Sequence, residues 1–465
     1  MKGEKIMENK QLIMDYNDKP SKGKWITLSF QHVFVMFSAT VLVPILTGLP
    51  ISIALFSSGI GTLIYILCTK GKVPMYLGSS FAYIAYINSV LYMIKDNGEV
   101  EVDEFGNRIL NADGGRGALI AGVVAIGIVY CLVAILIKII GTKWIEKLLP
   151  PIVVGPMIII IGLCLAGSAV NNTGLTQNPN WKMIVVSIST LLITALLAIK
   201  GKGFIKIIPF LLGIVGGYLV AIIVNFLPGD QILNLTELKE VVTTPSKWFA
   251  IPSFTIAGWK DADLGAGIHM AKLQFGFVLS AIPIAFATIC EHIGDHQVLS
   301  RITGHDYAKD PGLDKTLIGD GVATAVAGLI GSVPNTSYGE NTAVVGMSKI
   351  GSVWVTGLAA ILAILLSFCN VFTALIASIP SAVMGGICLI LYGFIASNGL
   401  KVLIDNKTDM NNSRNVIIVS VMLIIGIGGA VLYKFTGMAL ASIFGIVLNL
   451  ILPKEKVIKE ETTKE

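Results

Sequence analysis

Apolar residues run through this chain in blocks, separated by short polar or charged connections. A block of about 20 residues crosses the hydrocarbon core of a bilayer as a helix. Fourteen such spans can be placed. The first seven are at about 25–48, 51–69, 74–94, 117–140, 149–170, 182–200 and 205–227. The next seven are at about 272–297, 315–332, 336–350, 352–377, 380–398, 414–432 and 437–452. Two of them begin badly for helices. Span three is entered through Pro74-Met-Tyr-Leu-Gly-Ser-Ser80 and span ten through Pro334-Asn-Thr-Ser-Tyr-Gly-Glu340, each with a proline, a glycine and no apolar continuity. Irregular backbone cannot face lipid and survives at membrane depth only against protein or a watery cavity. A polar external connection is the plainer alternative; a broken helix at a substrate site is the sharper one.

Composition agrees with the pattern. The 465 residues are 54% hydrophobic and only 14% charged, with a mean hydropathy of +0.78. So few charges exclude an ordinary soluble surface, and the chain reads as an all-α polytopic membrane protein. With the N-terminus inside, the cytoplasmic segments hold 25 of the 34 Lys and Arg residues and the outer ones 9, as the positive-inside rule expects. An even number of spans returns the C-terminus to the same side. The net charge of +5 follows this topology and does not point to nucleic acid. Met1–Lys24 has no apolar core and reads as a cytoplasmic tail without a cleavable signal; it and Pro453–Glu465 are expected to be mobile. The long outer loop Lys95–Arg116 is acidic and expected to be peripheral. Gly229–Met270, with Trp248, Phe249, Pro252 and Trp259, is expected along the membrane surface. The six cysteines are scattered without metal-ligand spacing and read as small buried hydrophobes.

Internal similarity sharpens the picture. Gly71-Lys-Val-Pro74 is answered by Gly331-Ser-Val-Pro334, and Gln31-His32 by Glu291-His292, both at an offset of 260; Leu149-Pro-Pro-Ile-Val-Val-Gly155 resembles Ile379-Pro-Ser-Ala-Val-Met-Gly385 at an offset of 230. Three matches in order divide the chain into two halves of seven spans. An odd number makes the second half enter from the opposite side, so the repeats are inverted. Inverted repeats with interrupted helices at corresponding positions point to a secondary transporter with its site at the midplane. Helices starting just beyond the interruptions would aim N-terminal amides at the membrane centre.

Acids inside spans narrow the chemistry. A central charge costs about 2.5–3.5 kcal/mol on the mild insertion scale, so each intramembrane acid is a candidate functional group. Glu340 stands in the second interruption. Glu291 and Asp295 lie four apart on span eight and share a helix face. A carboxyl that takes up a proton on one side and releases it on the other makes Glu291, Asp295 and Glu340 candidates for proton coupling. Asp295 near the cytoplasmic end could instead cap or pair with a basic residue. His292 and His296 have a spacing able to hold a metal, yet no further His or Cys cluster supports one, and a structural or relay role fits better. His32, beside Gln31, reads as an internal hydrogen-bond partner. Phe81 and Tyr338 flank the interruptions; an aromatic face with a carboxylate able to accept two N–H bonds suits a planar heterocycle. A nucleophile–base pair or metal cluster with convincing spacing is not found, so an enzyme is disfavoured. A channel is the remaining competitor of a different class.

Several segments carry a family resemblance: Gln31-His32, Tyr76-Leu-Gly-Ser-Ser-Phe81, Glu291-His-Ile-Gly294, Asp310-Pro-Gly-Leu313, Pro334-Asn-Thr-Ser-Tyr-Gly-Glu-Asn341 and Pro380-Ser-Ala-Val-Met-Gly-Gly386. From about Trp25 to Pro453 the chain resembles the nucleobase–ascorbate transporter family, in particular its bacterial uracil permease branch. The resemblance implies fourteen spans in two inverted repeats, with short extended segments in spans three and ten. It also implies a core domain (25–140 and 272–377) and a gate domain (149–227 and 380–452), with the outer loop 228–271 between the halves. It implies proton-coupled uracil uptake by alternating access across the cell membrane, a homodimer through gate helices, and no cofactor. By position, Glu291 and Glu340 match the carboxylates that bind the base, Phe81 and Tyr338 the aromatic residues beside it, and Gly339 a backbone contact. Asp295 stands where uracil permeases can carry His, a position implicated in proton coupling, and an acid there looks more like the purine branch. Xanthine-type transport is therefore the alternative to uracil.

Overall fold

The computed structural model describes residues 12–94, 100–103, 108–111, 114–206, 208–255, 275–433, 435 and 437–453. The first half contains α1 (Lys22–Thr47), α2 (Ile51–Cys68), β1 (Leu77–Ser79), α3 (Ile84–Leu91), α4 (Arg116–Ile140), α5 (Lys143–Leu148), α6 (Pro151–Leu163), α7 (Ala166–Asn172), α8 (Trp181–Lys200), α9 (Pro209–Asn225) and α10 (Thr236–Thr243). The second half contains α11 (Phe275–Thr303), α12 (Leu313–Leu329), β2 (Asn335–Ser337), α13 (Gly339–Ser348), α14 (Val353–Ser367), α15 (Asn370–Ala377), α16 (Ser381–Asp405), α17 (Ser413–Ile427) and α18 (Gly437–Ile451). Among the described residues, seven helical stretches are long and apolar enough to cross a membrane, and five shorter apolar helices accompany them. The protein is a largely helical bundle. The span at 149–170 is divided into α6 and α7, and the span at 352–377 into α14 and α15. Helices α11 and α16 run past the apolar blocks that predicted them, because helix continues after the hydropathy falls.

Helices pack most densely within two sets, which α11 joins by also lying against α18 and α6. In one, α12 lies against α4 and α2, α14 against α1 and α2, and α11 against α4 and α13. In the other, α16 lies against α6, α7, α8 and α9, and α17 against α18 and α6. Small residues permit the closest crossings: a Cβ at Gly321 of α12 would stand 2.8 Å from the Gly127 carbonyl oxygen of α4.

Between α2 and α3, and again between α12 and α13, the chain leaves helical geometry. Gly71 and Gly331 adopt left-handed backbone (φ 66° and 80°), conformations that favour glycine. Each glycine is followed three residues on by a proline, which cannot continue a helix. The freed backbone is satisfied by pairing. Strands β1 and β2 are antiparallel, with Leu77 opposite Ser337, Gly78 opposite Thr336 and Ser79 opposite Asn335. Their flanks continue the ladder, Ser80 N–H donating to the Pro334 carbonyl at 3.0 Å and Tyr338 N–H to that of Tyr76 at 3.0 Å.

Helix α2 supports both strands with a polar edge. Ser58 donates to the Leu77 carbonyl (2.8 Å), and Leu77 N–H donates to Thr62 Oγ1 (3.0 Å). The Asn335 amide donates to the Ser57 carbonyl (3.0 Å), and Thr324 of α12 donates to the Asn335 carbonyl (2.7 Å). All six strand residues are buried. Buried polar backbone must be paired, and here it is.

One expectation about the connections changes. Of the N-terminal tail, residues 12–20 are docked rather than mobile: Ile13 N–H donates to the Lys349 carbonyl (2.7 Å), Gly351 N–H to that of Met14 (2.9 Å) and Val353 N–H to that of Tyr16 (3.1 Å). Asp15 also meets His305 at 2.8 Å. The described part of the loop expected at 95–116 is anchored. Arg108 donates to the Ile45 carbonyl (3.3 Å), and its guanidinium lies 5.2 Å from the ring of neighbouring Tyr92, whose hydroxyl donates to Thr47 O (2.9 Å). Residues 1–11 and 454–465 of the expected tails, and all of 256–270 with Trp259, lie outside the described residues. Beyond the spans, Lys72 joins Asp310 at 2.6 Å, and this ammonium holds the Asp310 carboxyl below the usual carboxylate range.

Candidate functional site

The strand pair places the residues singled out by the sequence. Helix α13 begins at Gly339, directly after Tyr338, so its first free amides and the positive end of its dipole lie at the end of β2. The turn Phe81–Tyr83 leading into α3 starts at the opposite end of the pair, after β1. Three strand residues separate these ends by about 10 Å. Two helix N-termini therefore face a common centre across the strands.

Helix α11 passes beside this centre. Ser337 donates to Asp295 Oδ2 at 3.0 Å, and a Cβ on Gly339 would stand 3.3 Å from Asp295 Oδ1. Asp295 is half-buried and makes no ion pair with a described basic residue, so the capping or pairing alternative finds no partner there. Glu291 lies one turn earlier on α11, and Glu340 follows Gly339. Glu291, Gly339 and Glu340 leave surface uncovered by protein, whereas Tyr338, Ser337 and the strands are buried. The structure thus groups Glu291, Asp295, Tyr338, Gly339 and Glu340. Half-buried Phe81 stands at the far end of the strand pair, packed on apolar neighbours.

Tyr338 is fixed by its hydroxyl, which donates to the Ser79 carbonyl (2.9 Å) and contacts Thr40 Oγ1 (3.0 Å). Its ring covers Gly78, where a Cβ would stand 2.5 Å from ring carbon Cζ. A ligand would meet the ring or backbone of Tyr338 rather than its hydroxyl. His32 is buried; its Nδ1 accepts from the Asn341 amide at 3.0 Å, and its carbonyl accepts from the same group at 3.2 Å. Neighbouring Gln31 is half-buried in α1.

Behind the carboxylates lies a buried histidine pair. The rings of His292 and His296 stack with centroids 4.0 Å apart. His292 Nδ1 meets Asp320 Oδ2 at 2.8 Å and its Nε2 meets Thr316 Oγ1 at 3.1 Å. His296 Nδ1 donates to the His292 carbonyl at 2.7 Å, and its Nε2 meets the Tyr65 hydroxyl. All four ring nitrogens are engaged by protein groups. Asp320, flanked by two glycines in α12, is absent from the sequence-derived candidates. Its signal was present, since an acid within an apolar span is a candidate by default.

A family model described as the Permease family matches residues 23–435. The chain is 43% identical to the uracil permease of Bacillus subtilis, with 99% of each protein covered. It is 44% identical to the uracil permease of Bacillus caldolyticus, with 95% of each covered. It is 37% identical to the uracil permease of Escherichia coli K12, covering 96% of this chain and 95% of that one. These relatives are named as permeases, not enzymes. Among solved structures, the transmembrane domain of the cyanobacterial bicarbonate transporter BicA matches with a TM-score of 0.61 at 14% identity, covering 94% of this chain and all of that one. The inward-facing murine Solute Carrier 26 anion transporter, member A9, matches with a TM-score of 0.62 at 14% identity, covering 94% of this chain and 69% of that one. At such identity these two carry the fold of a membrane transporter and nothing finer.

Proposed function

This chain belongs to the permease family of nucleobase–ascorbate transporters, and from that premise we propose that it takes up uracil together with a proton, by alternating access. The carrying observation is that Glu291 of α11 and Glu340 in the first turn of α13 are grouped with Asp295 at one end of the strand pair, beside the N-terminus of α13. Ionisable residues inside a membrane face water-filled cavities or one another and mark substrate paths. Uracil presents two N–H donors and two carbonyl acceptors in one plane. Glu291 and Glu340 accept the N–H groups, and backbone amides at Gly339 and Glu340 donate to a carbonyl. Phe81 and the Tyr338 ring offer apolar walls across the strand pair. Asp295, set between Ser337 and Gly339, is the first candidate for the coupled proton, with Glu291 and Glu340 as the others.

The two packing groups support a core of α1–α4 with α11–α15 and a gate of α6–α9 with α16–α18. Movement of one against the other would open the site to alternate faces, with inverted repeats supplying the related geometries. The gate helices are the proposed homodimer surface, and both termini are proposed to be cytoplasmic.

Uptake of labelled uracil into proteoliposomes, with and without an inward proton gradient and with excess xanthine, tests the reading. Gradient-dependent accumulation untouched by xanthine is expected. Competition by xanthine, or uptake of xanthine without uracil, would assign a purine substrate. Gradient-independent, non-saturating flux would assign a channel.

A further inference from the structure

Asp295 has two different neighbours on its two carboxylate oxygens. Oδ2 accepts the Ser337 hydroxyl at 3.0 Å, while Oδ1 faces the glycine that opens α13. Ser337 is buried, is the last residue of β2 and pairs with Leu77 across the strands. The next three residues are Tyr338, Gly339 and Glu340. The only direct link from Asp295 to this segment through a side-chain hydrogen bond is therefore the Ser337 hydroxyl, among the described residues. We propose that Ser337 is the positioning residue through which the proton on Asp295 sets the geometry of the substrate-binding turn. This inference deepens the proton-coupled reading above and rests on it.

The physical basis is the change in the Ser337 bond. An ionised carboxylate gives Ser337 a charge-assisted acceptor, about twice as strong as a neutral one. When a proton from water adds to Asp295, the charge on that acceptor disappears. If the proton resides on Oδ1, a donor now faces the start of α13; if on Oδ2, the bond to Ser337 must reverse direction. In either case the restraint on the end of β2 is weakened, and Tyr338–Glu340 follows. Release of the proton to water on the other side restores it. Among the described residues, the charged groups near enough to act on Asp295 are acids: Glu291 on its own helix, Glu340 on α13 and Asp320 on α12. The histidines His292 and His296 on α11 are turned to Asp320, Thr316 and Tyr65. Tyr130 of α4 packs edge-on to His292, and Tyr83 before α3 bonds Thr288 at 2.8 Å. No cation competes with Ser337 for Asp295 among the described residues.

The test uses the full-length protein in proteoliposomes, comparing wild type, Ser337→Ala, Ser337→Thr, Asp295→Asn and the Ser337→Ala/Asp295→Asn double variant. Two processes are measured across pH: uracil counterflow without a gradient, and gradient-driven accumulation with proton entry followed by a trapped pH dye. Ser337→Ala is expected to keep counterflow but lose about tenfold in gradient-driven accumulation, the size of one charge-assisted hydrogen bond. Its pH profile should coincide with that of Asp295→Asn, Ser337→Thr should restore the wild-type profile, and the double variant should be no worse than Asp295→Asn. A Ser337→Ala protein with the wild-type pH profile beside a defective Asp295→Asn would overturn the proposal. Equal loss of counterflow and accumulation in Ser337→Ala would also overturn it, leaving a purely structural role. Wild-type counterflow unaccompanied by gradient-driven accumulation or proton entry would instead remove the coupled reading itself.

Discussion

Replacing Gly78 by alanine adds one methyl group at the most crowded point of the strand pair. The new Cβ would stand 2.5 Å from Tyr338 Cζ and 2.6 Å from Cε2 and Oη, against 3.4–4 Å for ordinary contact. Tyr338 must therefore retreat by about 1 Å. It has no slack, because its hydroxyl is held by Ser79 and Thr40 and its N–H by Tyr76. Overpacking of this kind costs about 1–3 kcal/mol, and each strained hydrogen bond about 0.5–1.5 kcal/mol. The reduced freedom of the unfolded chain returns only about 0.4–1 kcal/mol. Sterics win, and a net destabilisation of roughly 2–5 kcal/mol follows. Thermal unfolding of purified protein, followed by size-exclusion fluorescence, measures it; uracil binding should weaken in parallel because Tyr338 precedes Gly339 and Glu340. In a Tyr338→Ala background the clash is gone, and Gly78→Ala should be nearly silent. Full stability of the single variant, or an equal loss in both backgrounds, would refute the steric account.

Other consequences are as direct. Glu291→Gln and Glu340→Gln should each weaken uracil binding by at least about tenfold, the worth of a hydrogen bond to a charged group. Glutamine matches glutamate in size and neither acid is held by a described ion pair, so expression and thermal stability should stay near wild type; normal uptake by either variant would remove that residue from the site. Asp295→Asn should impair accumulation driven by a proton gradient more than uracil binding, checked by comparing uptake with equilibrium binding. Asn335→Ala removes the amide that joins β2 to Ser57 of α2 and should cost about 1–3 kcal/mol in stability, measured by unfolding of the purified variant.

The apolar blocks were legible because a membrane span is a local property of about 20 residues. The two breaks were legible for a related reason: glycine and proline mark a helix end without help from elsewhere, and Gly71 and Gly331 do so with the same left-handed backbone. Glu291 and Glu340 stood out because acids are rare in such blocks. Asp320 carries the same signal, but its neighbours in sequence suggest no chemistry; its partner His292 is brought to it only by the packing of α11 and α12. The docked residues 12–20 were hidden for the opposite reason. A polar tail looks mobile until its backbone meets the Lys349–Val353 connection.

Sequence alone thus determined the membrane class, the two interrupted helices and most of the acids at the proposed site. These follow from hydropathy, charge and backbone permissiveness, which act over a few residues. Tertiary structure alone decided that Phe81 and Glu340 stand at opposite ends of one strand pair, that the Tyr338 hydroxyl is held by protein, and that Asp295 addresses Ser337. Such pairings join residues far apart in the chain. Their energy comes from burial and hydrogen bonding that no local pattern contains.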